Sequence, residues 1–150
     1  MEKISVIGIG RLGICLSLVL EKNGYDVVGV DVDKNYVDSL NSKTFDSEEK
    51  DVNKFLKSSK NFKATTDIEE ATNHSDFLFV VVPTPSKASG AYNHKYINNI
   101  FKSLLKLADK NGVSLKKKHL VICCTTMPGY VKELQKLLTE INYTATYNPE

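Results

Sequence analysis

Gly8-Ile9-Gly10-Arg11-Leu12-Gly13 is a G-x-G-x-x-G pattern, and each of its glycines has a separate physical use. Gly8 permits a tight turn, Gly10 lets a pyrophosphate approach the backbone, and Gly13 lets a following helix pack close to the preceding strand. A helix opening at this loop turns free N–H groups and the positive end of its dipole toward that anion. Asp31 stands eighteen positions after Gly13, where a dinucleotide site needs a carboxylate to accept hydrogen bonds from the adenosine ribose hydroxyls. The same charge repels a 2′-phosphate, which favours NAD over NADP; the neighbouring Lys34 works in the opposite sense. Two plainer readings stand beside this one. The glycines could form a strand-to-helix turn that holds no ligand, and Asp31 or Asp33 could simply cap the next helix.

Three more polar clusters follow apolar runs: Val82-Pro83-Thr84-Pro85, Cys124-Thr125-Thr126-Met127-Pro128-Gly129 and Tyr147-Asn148-Pro149-Glu150. In an open parallel sheet the ligand crevice lies outside the carboxyl ends of the strands. All three clusters are therefore expected along one edge, beside the glycine loop. Pro128 suits the first turn of a helix, with Thr126 as a candidate cap. Each cluster taken singly reads as loop and cap chemistry; their joint placement is what points to a site.

The elements that must position these groups alternate in type. Ile4 to Ile9 is a short run rich in β-branched residues, as in strands buried on both faces. Leu12, Leu16, Val19 and Leu20 recur at helical spacing, and Asn23-Gly24 supplies a stop. Asp26 to Asp31 reads as a second strand, and a helix is expected from about Lys34 to Asn41. The lysine-rich stretch from Ser42 to Asn61 suggests a surface helix anchored by Phe45, Val52, Phe55 and Leu56. A short edge strand at Phe62–Thr65 and a helix over Ile68–Asn73 capped by Asp67 follow. Phe77 to Val82, the most apolar run, is expected to be a central strand. A long amphipathic helix ending at Asn111-Gly112, a strand over Leu120–Cys123, a helix from Val131 to Ile141 and a strand over Tyr143–Tyr147 complete the chain. The pattern predicts an α/β, Rossmann-type, doubly wound and mainly parallel six-stranded sheet with helices on both faces, in one domain over 1–150.

Composition narrows the function classes. With 150 residues, 41% hydrophobic and 25% charged, the chain can bury one core and is not collagen-like or low-complexity. Twenty basic residues against eighteen acidic ones, interspersed, give a net charge of +2, which argues against a nucleic-acid partner. No apolar run reaches the ~20 residues that span a bilayer, so no membrane partner is expected. The strand pattern starts at once and leaves no room for a cleavable leader, so the expected location is cytoplasmic. Cys15, Cys123 and Cys124 suggest neither a disulfide framework nor a metal site and read as buried structural thiols. His74, His94 and His119 read as ordinary surface histidines, and Lys116-Lys117-Lys118 as a solvated loop. No metal is expected.

Taken in order, Gly8 to Gly13, Asp31, Val82-Pro83-Thr84-Pro85, Thr125 to Gly129 and Asn148-Pro149-Glu150 resemble the motif series of the UDP-glucose/GDP-mannose dehydrogenase family. The whole chain looks like the N-terminal, NAD-binding domain of such an enzyme. The resemblance implies oxidation of the C6 alcohol of a nucleotide sugar to a carboxylate, with two hydrides passed to two NAD in turn through a cysteine-bound thiohemiacetal and thioester. It implies a catalytic Thr126 in the proton-transfer and water-positioning network and a catalytic Glu150 that helps hydrolyse the thioester. Cofactor contacts fall on Gly8, Ile9, Gly10, Arg11, Leu12, Gly13, Asp31, Val82, Thr84 and Thr126. The family's nucleophilic cysteine matches none of the three present. The substrate domain, a homodimer of the full-length enzyme and a place in polysaccharide biosynthesis are implied with it. Departures from the pattern are Glu49-Lys50 near the position of a Glu-Pro-Gly-Leu segment, and Asn93 where an aspartate is common. The rival readings are the NAD-binding domain of a 3-hydroxyacyl or 6-phosphogluconate type dehydrogenase, and a non-catalytic NAD-binding module.

Overall fold

The computed structural model describes residues 1–111 and 117–149. The chain divides into two compact units, Met1–Asp76 and Phe77–Glu150. Both are α/β of Rossmann type: among the described residues, six strands, each parallel to its paired neighbours within a unit, alternate with six helices.

The first unit contains β1 (Lys3–Ile7), α1 (Arg11–Lys22), β2 (Asp26–Val30), α2 (Lys34–Asn41), α3 (Val52–Ser58), β3 (Phe62–Thr65) and α4 (Ile68–His74). β2 lies between β1 and β3, in a register that sets Val6 against Gly29 and Gly29 against Ala64. Val6, Val27 and Val28 are buried on β1 and β2, the run of apolar residues that a sheet covered on both faces requires. Asp33 accepts from the amides of Asn35 and Tyr36 at the start of α2, and Asp67 accepts from Glu69 N at the start of α4. These bonds satisfy N–H groups that would otherwise lack partners. Ser5, fully buried, donates its Oγ proton to Ala71 O at 2.7 Å, which ties α4 to β1.

β1 stops at Ile7, two residues before the expected end. Gly8 turns to φ +95°, a region glycine enters without penalty, and the amides of Gly8 and Ile9 both donate to Val30 O at 2.9 and 3.2 Å. In the stretch from Ser42 to Asn61, α3 is the expected surface helix. Lys43 Nζ donates to Ser59 O at 2.6 Å, and Lys22 lies 4.2 Å over the Phe55 ring.

The second unit contains β4 (Phe77–Val80), α5 (Lys95–Asn111), β5 (Lys118–Ile122), α6 (Tyr130–Thr139) and β6 (Tyr143–Tyr147). β5 lies between β4 and β6. Leu78, Val80, Ile97, Leu104, Leu120, Ile122 and Leu138 form its core. Three expectations need correction. Lys118 is not in a solvated loop: it opens β5 and is 6% exposed, with Lys117 exposed before it and Lys116 outside the described residues. Thr126 does not cap α6 and Pro128 does not sit in its first turn, because Gly129 at φ +82° is the N-cap. β4 ends at Val80 rather than Val82, and Val80 O accepts from Cys123 N at 3.0 Å. The expected stop of α5 falls on Asn111; Gly112 lies outside the described residues. None of the described helices is long and apolar enough to cross a membrane.

Candidate functional site

In the first unit the parallel register brings the glycine loop and Asp31 to the carboxyl ends of β1 and β2. α1 follows its N-cap, Gly10, with neither a side-chain cap bond nor an acidic residue in its first turn. A Cβ built on Gly10 meets nothing within 4 Å. The start of α1 is thus open to an anion, with helix N–H groups and the helix dipole facing it. Asp31 is half-buried, and its Oδ1 accepts from Asp33 N at 3.1 Å. Of the two residues that the plainer reading offered as caps, Asp31 or Asp33, it is Asp33 that caps α2. Lys34 pairs with Asp38 at 2.6 Å. These residues fit a dinucleotide: a place for its pyrophosphate, a carboxylate for its ribose, and a nearby cation bound elsewhere.

Two side chains brace this loop: Tyr36, which the motif pattern did not flag, and Glu49, noted there only as a departure from it. Tyr36 donates its hydroxyl proton to Ile9 O at 2.7 Å and packs edge-on against Phe45, ring centroids 5.0 Å apart. Burial pushes its phenol up to about 12, helped by the negative charge of Asp31 and by Cys15, so the hydroxyl remains a donor at physiological pH. Glu49 forms an ion pair with Arg11 Nε, joining the loop before α3 to the first residue of α1. The tyrosine could be found by its place one turn into the helix after the acidic residue. Nothing in the sequence pairs Glu49 with Arg11.

In the second unit the segments after β4, β5 and β6 come together at one end. Cys123 N donates to Val80 O, and Asn148 N donates to Ile122 O at 2.9 Å, so the segments after β5 and β6 are each stitched to the end of the neighbouring strand. Val82 and Thr84, half-buried, follow β4, and Thr126, 8% exposed, follows β5. Asn148 and Pro149 follow β6; Glu150 lies outside the described residues. The amide of Thr126 donates to the Tyr147 hydroxyl oxygen, and that of Met127 to His94 Nε2, each at 3.2 Å.

The thiols divide. Cys123 and Cys124 are buried as expected, whereas Cys15 is half-buried and donates to Arg11 O at 3.2 Å. Burial raises the Cys124 thiol above its ordinary value, the reverse of what a nucleophile needs. It also raises Cys15, with the Glu49 charge adding to the effect. None of the three histidines is freely exposed. His74 bonds Asp26 O at 3.0 Å, and His119 bridges the hydroxyls of Thr144 and Thr146. Among the described residues no cluster of His, Cys, Asp or Glu could hold a metal ion.

The profile described as the UDP-glucose/GDP-mannose dehydrogenase family, NAD binding domain, matches residues 2–150. The chain is 30% identical over 133 residues to the GDP-mannose 6-dehydrogenase of Pseudomonas syringae pv. tomato, covering 86% of this chain and 30% of that one. It is 27% identical over 152 residues to the UDP-glucose 6-dehydrogenase of Campylobacter jejuni, covering 99% and 36%. Among solved structures, a ternary complex of GDP-mannose dehydrogenase from Pseudomonas aeruginosa superposes with a TM-score of 0.86 at 26% identity, covering 98% of this chain and 36% of that one. The chain thus spans about a third of the length of these relatives.

Proposed function

Because the chain belongs to the UDP-glucose/GDP-mannose dehydrogenase family through that family's NAD-binding domain, we propose that residues 1–150 act as one cofactor-holding domain of a nucleotide-sugar 6-dehydrogenase. NAD is its cofactor. The reaction is oxidation of the sugar C6 alcohol to a carboxylate at the expense of two NAD. The observation that carries this reading is the open, uncapped start of α1 over Gly10, set beside Asp31 in a chain matched by this family over 2–150. NAD, when bound, supplies the hydride acceptor; the chain's own residues bind and orient it.

In this reading Gly8, Ile9, Gly10, Arg11, Leu12 and Gly13 receive the pyrophosphate on backbone N–H groups, and Asp31 accepts from the ribose hydroxyls. Val32, 96% exposed beside Asp31, offers an apolar surface that a base would cover. Val82, Thr84 and Thr126 are further cofactor contacts in this reading. Thr126 also serves the proton-transfer network, since a hydroxyl can donate and accept in the same step. Glu150 orients or activates the hydrolytic water. None of Cys15, Cys123 and Cys124 is the nucleophile, given the burial of the last two and the raised thiols of Cys15 and Cys124. The reading includes a cytoplasmic homodimer that serves polysaccharide biosynthesis.

The test is direct. The 150-residue chain is titrated with NAD and NADP by calorimetry, then mixed with NAD and UDP-glucose or GDP-mannose while NADH absorbance is followed. Binding of NAD with a flat absorbance trace is expected. Sustained turnover that disappears on replacing Cys123 or Cys124 would sink the assignment.

A further inference from the structure

His94 stands between two loops that the motif series treats separately. On one side the chain returns from the Val82–Pro85 segment through a short turn: Ser86 bridges to Tyr92, Lys87 N donates to Ala91 O at 2.8 Å, and Asn93 N donates to Pro85 O at 2.8 Å. On the other side, His94 Nε2 accepts the amide proton of Met127 at 3.2 Å, and Tyr92 N donates to Met127 Sδ at 3.4 Å. The imidazole stacks on Tyr130 of α6, ring centroids 3.9 Å apart and planes 34° from parallel. Tyr130 in turn donates its hydroxyl proton to Asn98 Oδ1 of α5 at 2.6 Å. The ring is thereby fixed in position and orientation by groups on both helices.

We propose that His94, as a neutral imidazole, is a positioning residue that clips the Thr126–Met127 segment to the Val82–Pro85 segment, so that protonating it weakens NAD binding. This rests on the reading of Thr84 and Thr126 as cofactor contacts. The chemistry follows from the bond's direction. Nε2 accepts, so it carries a lone pair, and the single proton of the neutral ring sits on Nδ1. A second proton must go to Nε2, where it meets the Met127 N–H head-on and turns an attraction into a repulsion between two donors. The titratable groups facing the ring from neighbouring elements are Lys87, in the turn, and Tyr130, on α6. The Tyr130 phenol is pushed up to about 12, chiefly by burial, so it stays neutral. Burial first, and the Lys87 charge second, lower the His94 value. The neutral, clipping form therefore holds at and above the ordinary histidine value, and the clip is lost as pH falls below it.

Two readouts on the 150-residue chain test this. The first is the NMR shift of the Met127 amide with pH, beside the His94 ring signals. The second is NAD affinity between about pH 7.5 and 5. In the unmutated chain the Met127 amide follows the His94 titration, and NAD affinity falls about three- to tenfold over the same interval, the worth of one hydrogen bond. His94→Phe keeps the stack but removes the acceptor, so affinity is already reduced at the upper pH and no longer changes. His94→Gln restores an acceptor that does not titrate, and so restores affinity with a flat pH profile. A Met127 amide blind to the His94 titration overturns the clip while leaving Thr126 at the cofactor. An amide that titrates while NAD affinity stays flat overturns the coupling, and with it the placement of Thr126.

Discussion

The two ends that carry the candidate cofactor contacts are built by different means. In Met1–Asp76 the backbone does most of the work. Gly8 turns at φ +95°, Gly10 leaves open space where a Cβ would stand, and Gly29 lets Ile9 press against β2. In Phe77–Glu150 the positioning is done by side chains: Tyr147 holds the amide of Thr126, and His94 holds that of Met127. A loop shaped by backbone fails when a Cβ intrudes. A site held by side chains can be altered one holder at a time, and it inherits the titration of a histidine among them.

The largest expected effect strikes the backbone-built end. A Cβ on Gly29 would lie 2.6 Å from Ile9 Cγ2 and 3.2 Å from Phe62 Cε2, and the methyl so close to the Ile9 backbone cannot swing away cheaply. Gly29→Val should cost about 3 kcal/mol in urea unfolding, the upper range for overpacking, and should loosen NAD binding by displacing Ile9. A loss under about 0.5 kcal/mol, the size of an ordinary surface change, would break the contrast by showing this contact to be soft. Asp31→Ala comes next. Calorimetry should show NAD binding weakened by about 2 kcal/mol, as for the loss of a charged acceptor; tighter binding of NADP than of NAD by the unmutated chain would refute the assignment. Tyr147→Phe should be the mildest. Tyr147 is 41% exposed, and water can replace its oxygen, so the cost in NAD affinity is expected at about 0.5 kcal/mol. Faster hydrogen exchange at the Thr126 amide is its companion readout. A loss matching that of Asp31→Ala would erase the distinction between the two ends.

Much of the fold is legible in the sequence because its signals are local. Asp33 and Asp67 cap the helices that follow them, and the expected bounds of α2, Lys34–Asn41, are those observed. Strand ends are overrun at Ile9 and Val82, since apolar character continues past the point where the chain turns to serve the neighbouring strand. Lys118 misleads for a related reason: charge marks it as solvated, while its register opposite Tyr143 draws it into the sheet. At the candidate site, Gly8 to Gly13 and Asp31 can be found by spacing alone. The Arg11–Glu49 pair and the His94–Met127 bond cannot. Both join a motif residue, Arg11 or Met127, to a partner more than thirty positions away that no spacing rule selects, and only the folded chain brings them together.

The contact between Gly29 and Ile9 also limits how this sequence can change over time. Glycine is a poor strand former, so drift toward valine or alanine at position 29 would improve local propensity at every try. The 2.6 Å approach of Ile9 Cγ2 makes each such try costly while isoleucine stands at position 9. A lineage could fill position 29 only after trimming position 9 to a smaller side chain, and that first step opens a void in the core before any benefit arrives. In this chain the two positions are therefore coupled by packing, and the order in which they can be exchanged follows from that contact rather than from chemistry at the site.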